Sequence, residues 1–193
     1  MDFFSDRKNV LAYIQESEGY TGINLILQLE KYLPEGSRLL ELGIGPGKDM
    51  DILSEKYKVT GSDRSRVFLD IYQETHPKAK LLQLDAVTLE TDLLFDAVYS
   101  NKVLIHLSKS ELVQSLKKQK SLLRAGGLLL HSFWVGNGED EFDGLKFYYH
   151  QEKEIAEIIA ADFAIMETGH YKEMEENDSF YLLLRKRGGL HFS

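Results

Sequence analysis

The sequence predicts an α/β domain built on a seven-stranded, mostly parallel sheet, with helices on both faces and an antiparallel hairpin at its C-terminal end. Three observations carry this prediction. From about residue 37 onward, apolar runs of strand length alternate with stretches of helix length, the succession that builds right-handed parallel crossovers. The first run breaks into "LLELGIGPGKD", with Gly43, Gly45 and Gly47 at every second position ahead of a helix. The last two apolar runs are separated only by a short polar connection, which suits an antiparallel pair at a sheet edge.

Taken in order, Ile23, Ile26, Leu27, Leu29 and Leu33 recur at helical spacing before "PEGS", a helix followed by a turn. "RLLELG" is the first buried strand, a helix runs from Gly47 to about Tyr57, and "YKVTGSD" is a second strand ending at Asp63. Residues 65–75 fit a helix, Pro77 marks a connection, and "AKLLQLD" is the third strand. "LLFDAVYSN" and "GGLLLHSFW" are the fourth and fifth, apolar throughout as strands buried on both faces must be. Between them lies a helix from Ser108 to Leu123, opened by a Ser108 cap with Glu111 three residues on. "VGNGEDEFDG", Val135 to Gly144, is expected as a surface loop and candidate substrate lid. A helix from about Gln151 to Ala161, a sixth strand and a seventh in "ENDSFYLLLRKR" complete the pattern. Residues 1–193 thus read as one domain, with a helical segment over the site (1–36), a core (37–187) and a frayed tail (188–193).

A chain of 193 residues, 43% hydrophobic and 28% charged, is large enough to bury a sizeable core. Its net charge of -8 opposes long-range attraction to a phosphate backbone or an anionic bilayer, so neither nucleic acid nor membrane is the expected partner. The absence of cysteine excludes disulfides, thiolate metal sites and a cysteine nucleophile. His76, His150, His170 and His191 show no ligand spacing, so no metal site is expected. The N-terminus shows no secretory signal and no run reaches membrane-spanning length, which makes the cytoplasm the expected location.

A glycine turn feeding a helix amino terminus lets an anionic group approach unpaired N–H groups closely. The spacing here is G-x-G-x-G rather than the dinucleotide G-x-G-x-x-G, and Glu41 would set a carboxylate beside any pyrophosphate. A ligand bearing an ammonium and a carboxylate suits the loop better; the methionine portion of S-adenosylmethionine has that pattern.

The ordered set "ELGIGPG", Asp63 at the end of the second strand, "LDA" at the third, "FDAVYSNKVLIHL" at the fourth and "LLRAGGLLL" before the fifth resembles the class I S-adenosylmethionine-dependent methyltransferases from about Ile23 to Lys186. That resemblance implies a Rossmann-like sheet of strand order 3-2-1-4-5-7-6 and S-adenosylmethionine as cofactor. It implies that Gly43, Gly45 and Gly47 admit the methionine portion, with Glu41 binding or orienting the loop and amino group. Asp63, with Arg64 beside it, would meet the ribose; Asp85 and the Ala86 N–H would meet the adenine; and Asn101 would lie near the reacting methyl. Each has a plainer alternative: strand-to-helix packing for a glycine, helix capping for Asp63, a polar strand end for Asp85.

Methyl transfer from a sulfonium is an in-line displacement that needs orientation above all, with a general base only for a hydroxyl or protonated amine. His106 and His131 are the candidate catalytic groups near the carboxyl edge, against structural roles for both. Two or three of Tyr13, Tyr20, Phe133, Trp134, Tyr148 and Tyr149 should line the site. The fourth strand ends in "SNKV" rather than an N-P-P-Y type of sequence, which disfavours base and glutamine acceptors, and the short chain favours a small molecule. The rival readings are a cofactor-binding module without turnover and a nicotinamide-dependent oxidoreductase.

Overall fold

The computed structural model describes residues 3–142 and 144–188. Its centre is β1 (Arg38–Leu42), paired in parallel with β2 (Lys58–Asp63) on one side and β4 (Phe95–Ser100) on the other. Beyond β2 lies β3 (Lys80–Gln83), and beyond β4 lies β5 (Leu123–Trp134), both parallel. The antiparallel β9 (Ser179–Lys186) and then β8 (Phe163–Tyr171) complete a seven-stranded sheet of order β3-β2-β1-β4-β5-β9-β8. Counting core strands alone, this is the 3-2-1-4-5-7-6 order that the sequence implied.

Alternation along the strands sends side chains to two cores. Leu39, Ala97, Tyr99, Leu128 and Leu130 pack against α2 (Ile23–Glu30), α3 (Lys48–Ser54) and α4 (Arg66–Thr75). Leu40, Leu42, Val98, Leu129 and Phe133 face the other way, onto α5 (Lys109–Leu122) and α6 (Glu152–Ile159). These strands are apolar throughout because both faces are covered. The boundaries follow local chemistry: Ser65 caps α4, and Ser108 with Glu111 forms a reciprocal capping box on α5.

Strand order reverses between β1 and β4, so the loops at their carboxyl ends diverge and leave a crevice between them. The segment read as a loop from Val135 to Gly144 is a correction. It opens a separate antiparallel hairpin of β6 (Glu139–Phe142) and β7 (Leu145–Tyr148). Polar composition hid the strands, because β6 carries its acidic residues on an exposed ribbon while Phe147 turns inward onto Trp134 and His106. The amino-terminal segment, with α1 (Arg7–Glu16), crosses from α4 to α3: the Phe4 carbonyl accepts from Ser65 Oγ at 2.6 Å, and Lys48 Nζ donates to the Ser17 carbonyl at 2.7 Å. Of the expected frayed tail, residues 189–193 lie outside the described residues.

Candidate functional site

β1 delivers Glu41 to the carboxyl edge of the sheet, and the chain turns through Gly43, Gly45 and Gly47 into α3. All three glycines hold positive φ, at +67°, +47° and +84°, but their surroundings differ. A Cβ on Gly43 would strike Val103 and one on Gly47 would enter the Tyr72 ring, so packing within the protein demands both. At Gly45 nothing lies within 4 Å of that position, and the loop opens on free space.

On β1, just before this loop, Glu41 is only 3% exposed and its Oε2 makes no hydrogen bond among the described residues. Burial, followed by the fields of Asp49, Asp51 and Asp63, pushes its carboxyl well above the ordinary value. A buried carboxyl without a donor is costly, and a cationic group would supply what it lacks. The same carboxylates oppose a phosphate in that position.

Asp63, at the end of β2, ties the glycine loop to the next helix. Its Oδ2 accepts from the Gly45 N–H at 3.1 Å and its Oδ1 from the Ser65 N–H at 2.8 Å. The side-chain cap of α4 is Ser65, so capping does not account for Asp63. Burial pushes its carboxyl up against these hydrogen bonds and a third from the Arg64 backbone N–H, and of about four lone-pair sites one is left for a further donor. Arg64 is exposed, and its carbonyl accepts from Gln83 Nε2 at 3.0 Å.

After β3, Asp85 Oδ1 accepts from the N–H groups of Val87 (2.7 Å) and Thr88 (3.4 Å) and so shapes a turn. The Ala86 N–H takes no part in that turn's hydrogen bonds, and the Ala86 carbonyl accepts from Ser115 Oγ at 2.6 Å. Asn101, just past β4, bridges two elements: its Nδ2 donates to Asp49 Oδ2 at 3.3 Å, and its Oδ1 accepts from Ser132 Oγ at 2.7 Å.

Sequence reasoning missed Asp49. Its carboxylate accepts from the Gly22 N–H and the Tyr99 hydroxyl, both at 2.6 Å, as well as from Asn101. It therefore joins the amino-terminal segment, α3 and the end of β4 at one buried point. A Cβ on Gly22 would overlap the Tyr99 hydroxyl and the Asp49 carboxylate, which is why glycine stands there. An acidic residue two positions past a glycine loop reads as first-turn helix chemistry, so the sequence held no signal for this long-range role.

The two candidate histidines separate. His106 lies in a single 3₁₀ turn (Leu104–His106), tilted against the Phe147 ring at 4.8 Å, with Nδ1 2.9 Å from the Lys146 carbonyl. A carbonyl only accepts, so Nδ1 carries the proton and Nε2 keeps its lone pair; burial lowers the pKa and holds the ring neutral. His131 is a correction: it is 1% exposed and both ring nitrogens are engaged, Nδ1 by Ser100 Oγ and Nε2 by Gln119 Oε1, each at 2.8 Å. Burial lowers its pKa to about 3. Gln119 Nε2 donates in turn to Ser115 Oγ at 3.0 Å, and Ser115 to Ala86, so His131 belongs to a relay that braces the Asp85 turn rather than to a reacting centre.

Among the six aromatics, Phe133 is core, stacked on Phe180, while Tyr20 is 61% exposed. Trp134 lies at the edge, 5.5 Å from Lys102 Nζ. The Tyr13 ring packs on Phe4 and Phe68, and its hydroxyl is pushed up by burial and then by Asp63 and Glu173. No group of three or more potential metal ligands occurs among the described residues, and no helix there is long and apolar enough to cross a membrane.

This geometry coincides with known proteins. Residues 39–127 match the model of a methyltransferase domain family. The N-methyltransferase NodS of Bradyrhizobium japonicum WM9, in complex with S-adenosyl-L-homocysteine, superposes at a TM-score of 0.77 with 13% identity, covering 97% of this chain and all of that one. Fold and family match agree: the chain has the fold of these S-adenosylmethionine-dependent methyltransferases, and residues 39–127 within it match a methyltransferase domain. Mouse tRNA (carboxymethyluridine(34)-5-O)-methyltransferase ALKBH8 is 32% identical over 133 residues, 68% of this chain but 19% of that protein. Trans-aconitate 2-methyltransferase of Variovorax paradoxus (strain S110) is 32% identical over 101 residues, 50% of this chain and 38% of that protein. The chain thus spans about a fifth of the first relative's length and under two-fifths of the second's.

The unpartnered Glu41 carboxyl yields a test of opposite signs. Its folded-state pKa lies above the ordinary 4.5, so the folded chain keeps a proton that the unfolded chain releases, and stability present below pH 4.5 is lost as pH rises toward the folded value. Free Glu41→Gln cannot ionise, so its melting temperature should exceed the wild type's by more at pH 8 than at pH 5. Its affinity for S-adenosylhomocysteine should fall by about 1–3 kcal/mol. Differential scanning fluorimetry and calorimetry check both; an equal melting difference at the two pH values would contradict the buried, unpaired carboxyl.

Proposed function

We propose that this protein is an S-adenosylmethionine-dependent methyltransferase whose acceptor is a small molecule bearing a carboxylate. The observation that carries the cofactor reading is the orphaned Glu41 Oε2 on the strand that leads into the glycine loop. There Glu41 would receive the ammonium of the methionine portion, and the glycine loop would admit its backbone-like carboxylate. Asp63 would take a ribose hydroxyl on its remaining lone pair, with Arg64 at its flank, while Asp85 and the Ala86 N–H would meet the adenine edge. Asn101 would lie near the methyl, held from both sides by Asp49 and Ser132. The segment 1–36 and the β6–β7 hairpin would cover the crevice and exclude water.

When bound, S-adenosylmethionine supplies an electrophilic methyl on sulfur that passes to the acceptor by in-line displacement. A carboxylate oxygen forms the new O–C bond as the C–S bond breaks, and a neutral ester and thioether result with no proton to remove. Two observations support a carboxylate: one relative is named for trans-aconitate, a carboxylate, and the tRNA relative for a carboxymethyluridine. A tRNA acceptor itself is opposed by the net charge of -8. A second reading rests on His106, whose free Nε2 lone pair could serve as base for a hydroxyl or amine acceptor.

Titration calorimetry tests the cofactor: S-adenosylmethionine and S-adenosylhomocysteine should bind at submillimolar concentration and NAD should not. Asp63→Ala should lose about 1.5–3 kcal/mol of that affinity; NAD binding alone, or full affinity in a folded Asp63→Ala, would sink the reading. Turnover over a panel of carboxylate, hydroxyl and amine acceptors tests the rest. With a carboxylate, His106→Asn should keep kcat within about threefold and the rate should stay level from pH 6 to 9. A loss of about 10²–10⁴-fold, with activity rising as His106 gives up its proton, would favour the base-assisted reading.

A further inference from the structure

Lys102 follows Asn101 at the carboxyl end of β4 and holds φ +57°, a left-handed conformation that a lysine adopts only under constraint. Its N–H donates to Ser132 Oγ at 3.0 Å, the same hydroxyl that donates to Asn101. The strained backbone aims the ammonium along the sheet edge, where Nζ donates to the Phe133 carbonyl (3.1 Å) and Ser179 Oγ (2.6 Å) between the rings of Trp134 (5.5 Å) and Tyr171 (5.3 Å).

The third partner of Nζ comes from outside the sheet. Glu173 Oε2, on the connection between β8 and β9, receives Lys102 Nζ at 2.8 Å, Trp134 Nε1 at 2.9 Å and Ser179 Oγ at 3.0 Å. Three donors from the ends of β4, β5 and β9 thus converge on one carboxylate oxygen that a loop provides. The loop does not need that contact for its shape, because Asp178 accepts the N–H groups of Glu173, Met174 and Glu175 at 2.7–2.9 Å. Donors fixed in a rigid sheet, with an occupant on an independently braced loop, make a seat whose occupant can be exchanged. The seat borders the crevice, since Lys102 follows Asn101, both bond the Ser132 hydroxyl, and Asn101 donates in turn to Asp49.

We propose that Lys102 Nζ, Trp134 Nε1 and Ser179 Oγ form the seat for an anchoring carboxylate of the acceptor, which Glu173 fills until that carboxylate displaces it. This deepens the proposed function and rests on it for the identity of the acceptor, though not for the seat. The bound carboxylate is not the one that reacts, because an ion pair with Lys102 would lower its nucleophilicity. A second carboxylate on the same molecule is then the nucleophile, which points to di- or tricarboxylates as the acceptor class. Glu173 would also hold the seat against monocarboxylates that gain nothing else from binding.

The test uses the only tryptophan of the chain, whose indole N–H gives one resonance in a ¹⁵N spectrum. Trans-aconitate serves as the probe, titrated with and without S-adenosylhomocysteine, against sulfate at matched ionic strength. The Trp134 resonance should move saturably with trans-aconitate, with a midpoint at least fivefold lower in Glu173→Ala, and should stay still in Lys102→Met. If Glu173→Ala does not fold, Glu173→Gln, which keeps the side-chain shape, should lower the midpoint in the same direction. A resonance that trans-aconitate leaves unmoved in the Glu173 variants, an equal response to sulfate, or an unaltered response in Lys102→Met would overturn the seat. The arms without S-adenosylhomocysteine judge the seat alone, and failure of S-adenosylhomocysteine to bind any variant would count against the cofactor reading instead.

Discussion

A carboxyl group buried at the end of the central strand without an internal donor is the constraint on which the rest of the site depends. Burial, and then the fields of Asp49, Asp51 and Asp63, push the Glu41 carboxyl up and favour its protonated form. Folded chains tolerate such a group where a ligand completes it. In the loop that follows it, Gly45 leaves open space, while Gly43 and Gly47 close against Val103 and Tyr72. The negative cluster selects for a positively charged ligand end and against phosphate, which separates this glycine loop from a dinucleotide site by electrostatics as well as by spacing.

Two polar networks hold the rest in register. Asp49 gathers the amino-terminal segment, α3 and the end of β4 at one buried carboxylate. On the opposite face, the direction of each bond is fixed by its end, since the Ala86 carbonyl can only accept. Ser115 must donate to it, Gln119 to Ser115, His131 to Gln119 and Ser100 to His131. The relay spans from the end of β4 to the turn after β3, linking the places proposed for the methyl and the adenine. All four side chains in it are buried at 1% exposure or less.

Much of this was legible in the sequence because it is local. The strand succession, the Ser108–Glu111 capping box, the glycine spacing and Asp63 at a strand end all announce themselves within a few residues, and the sheet has the expected order. What escaped is long-range or disguised. The β6–β7 hairpin looked like a loop because its outward strand is acidic. His131 looked like a base because a histidine in an apolar strand shows nothing of Gln119 twelve residues earlier. Asp49 and the Lys102 seat depend on partners distant in sequence, from Gly22 to Ser179, which only the folded sheet brings together.

The central claim is that the Glu41 carboxyl awaits an ammonium group. Its most direct measure is proton linkage: calorimetric titration with S-adenosylhomocysteine at pH 6 in buffers of different ionisation enthalpy. A carboxyl whose pKa is raised in the free protein and brought down by an ammonium in the complex should release protons on binding, and Glu41→Gln should release none. Binding without proton release, or the same release from Glu41→Gln, would contradict the account.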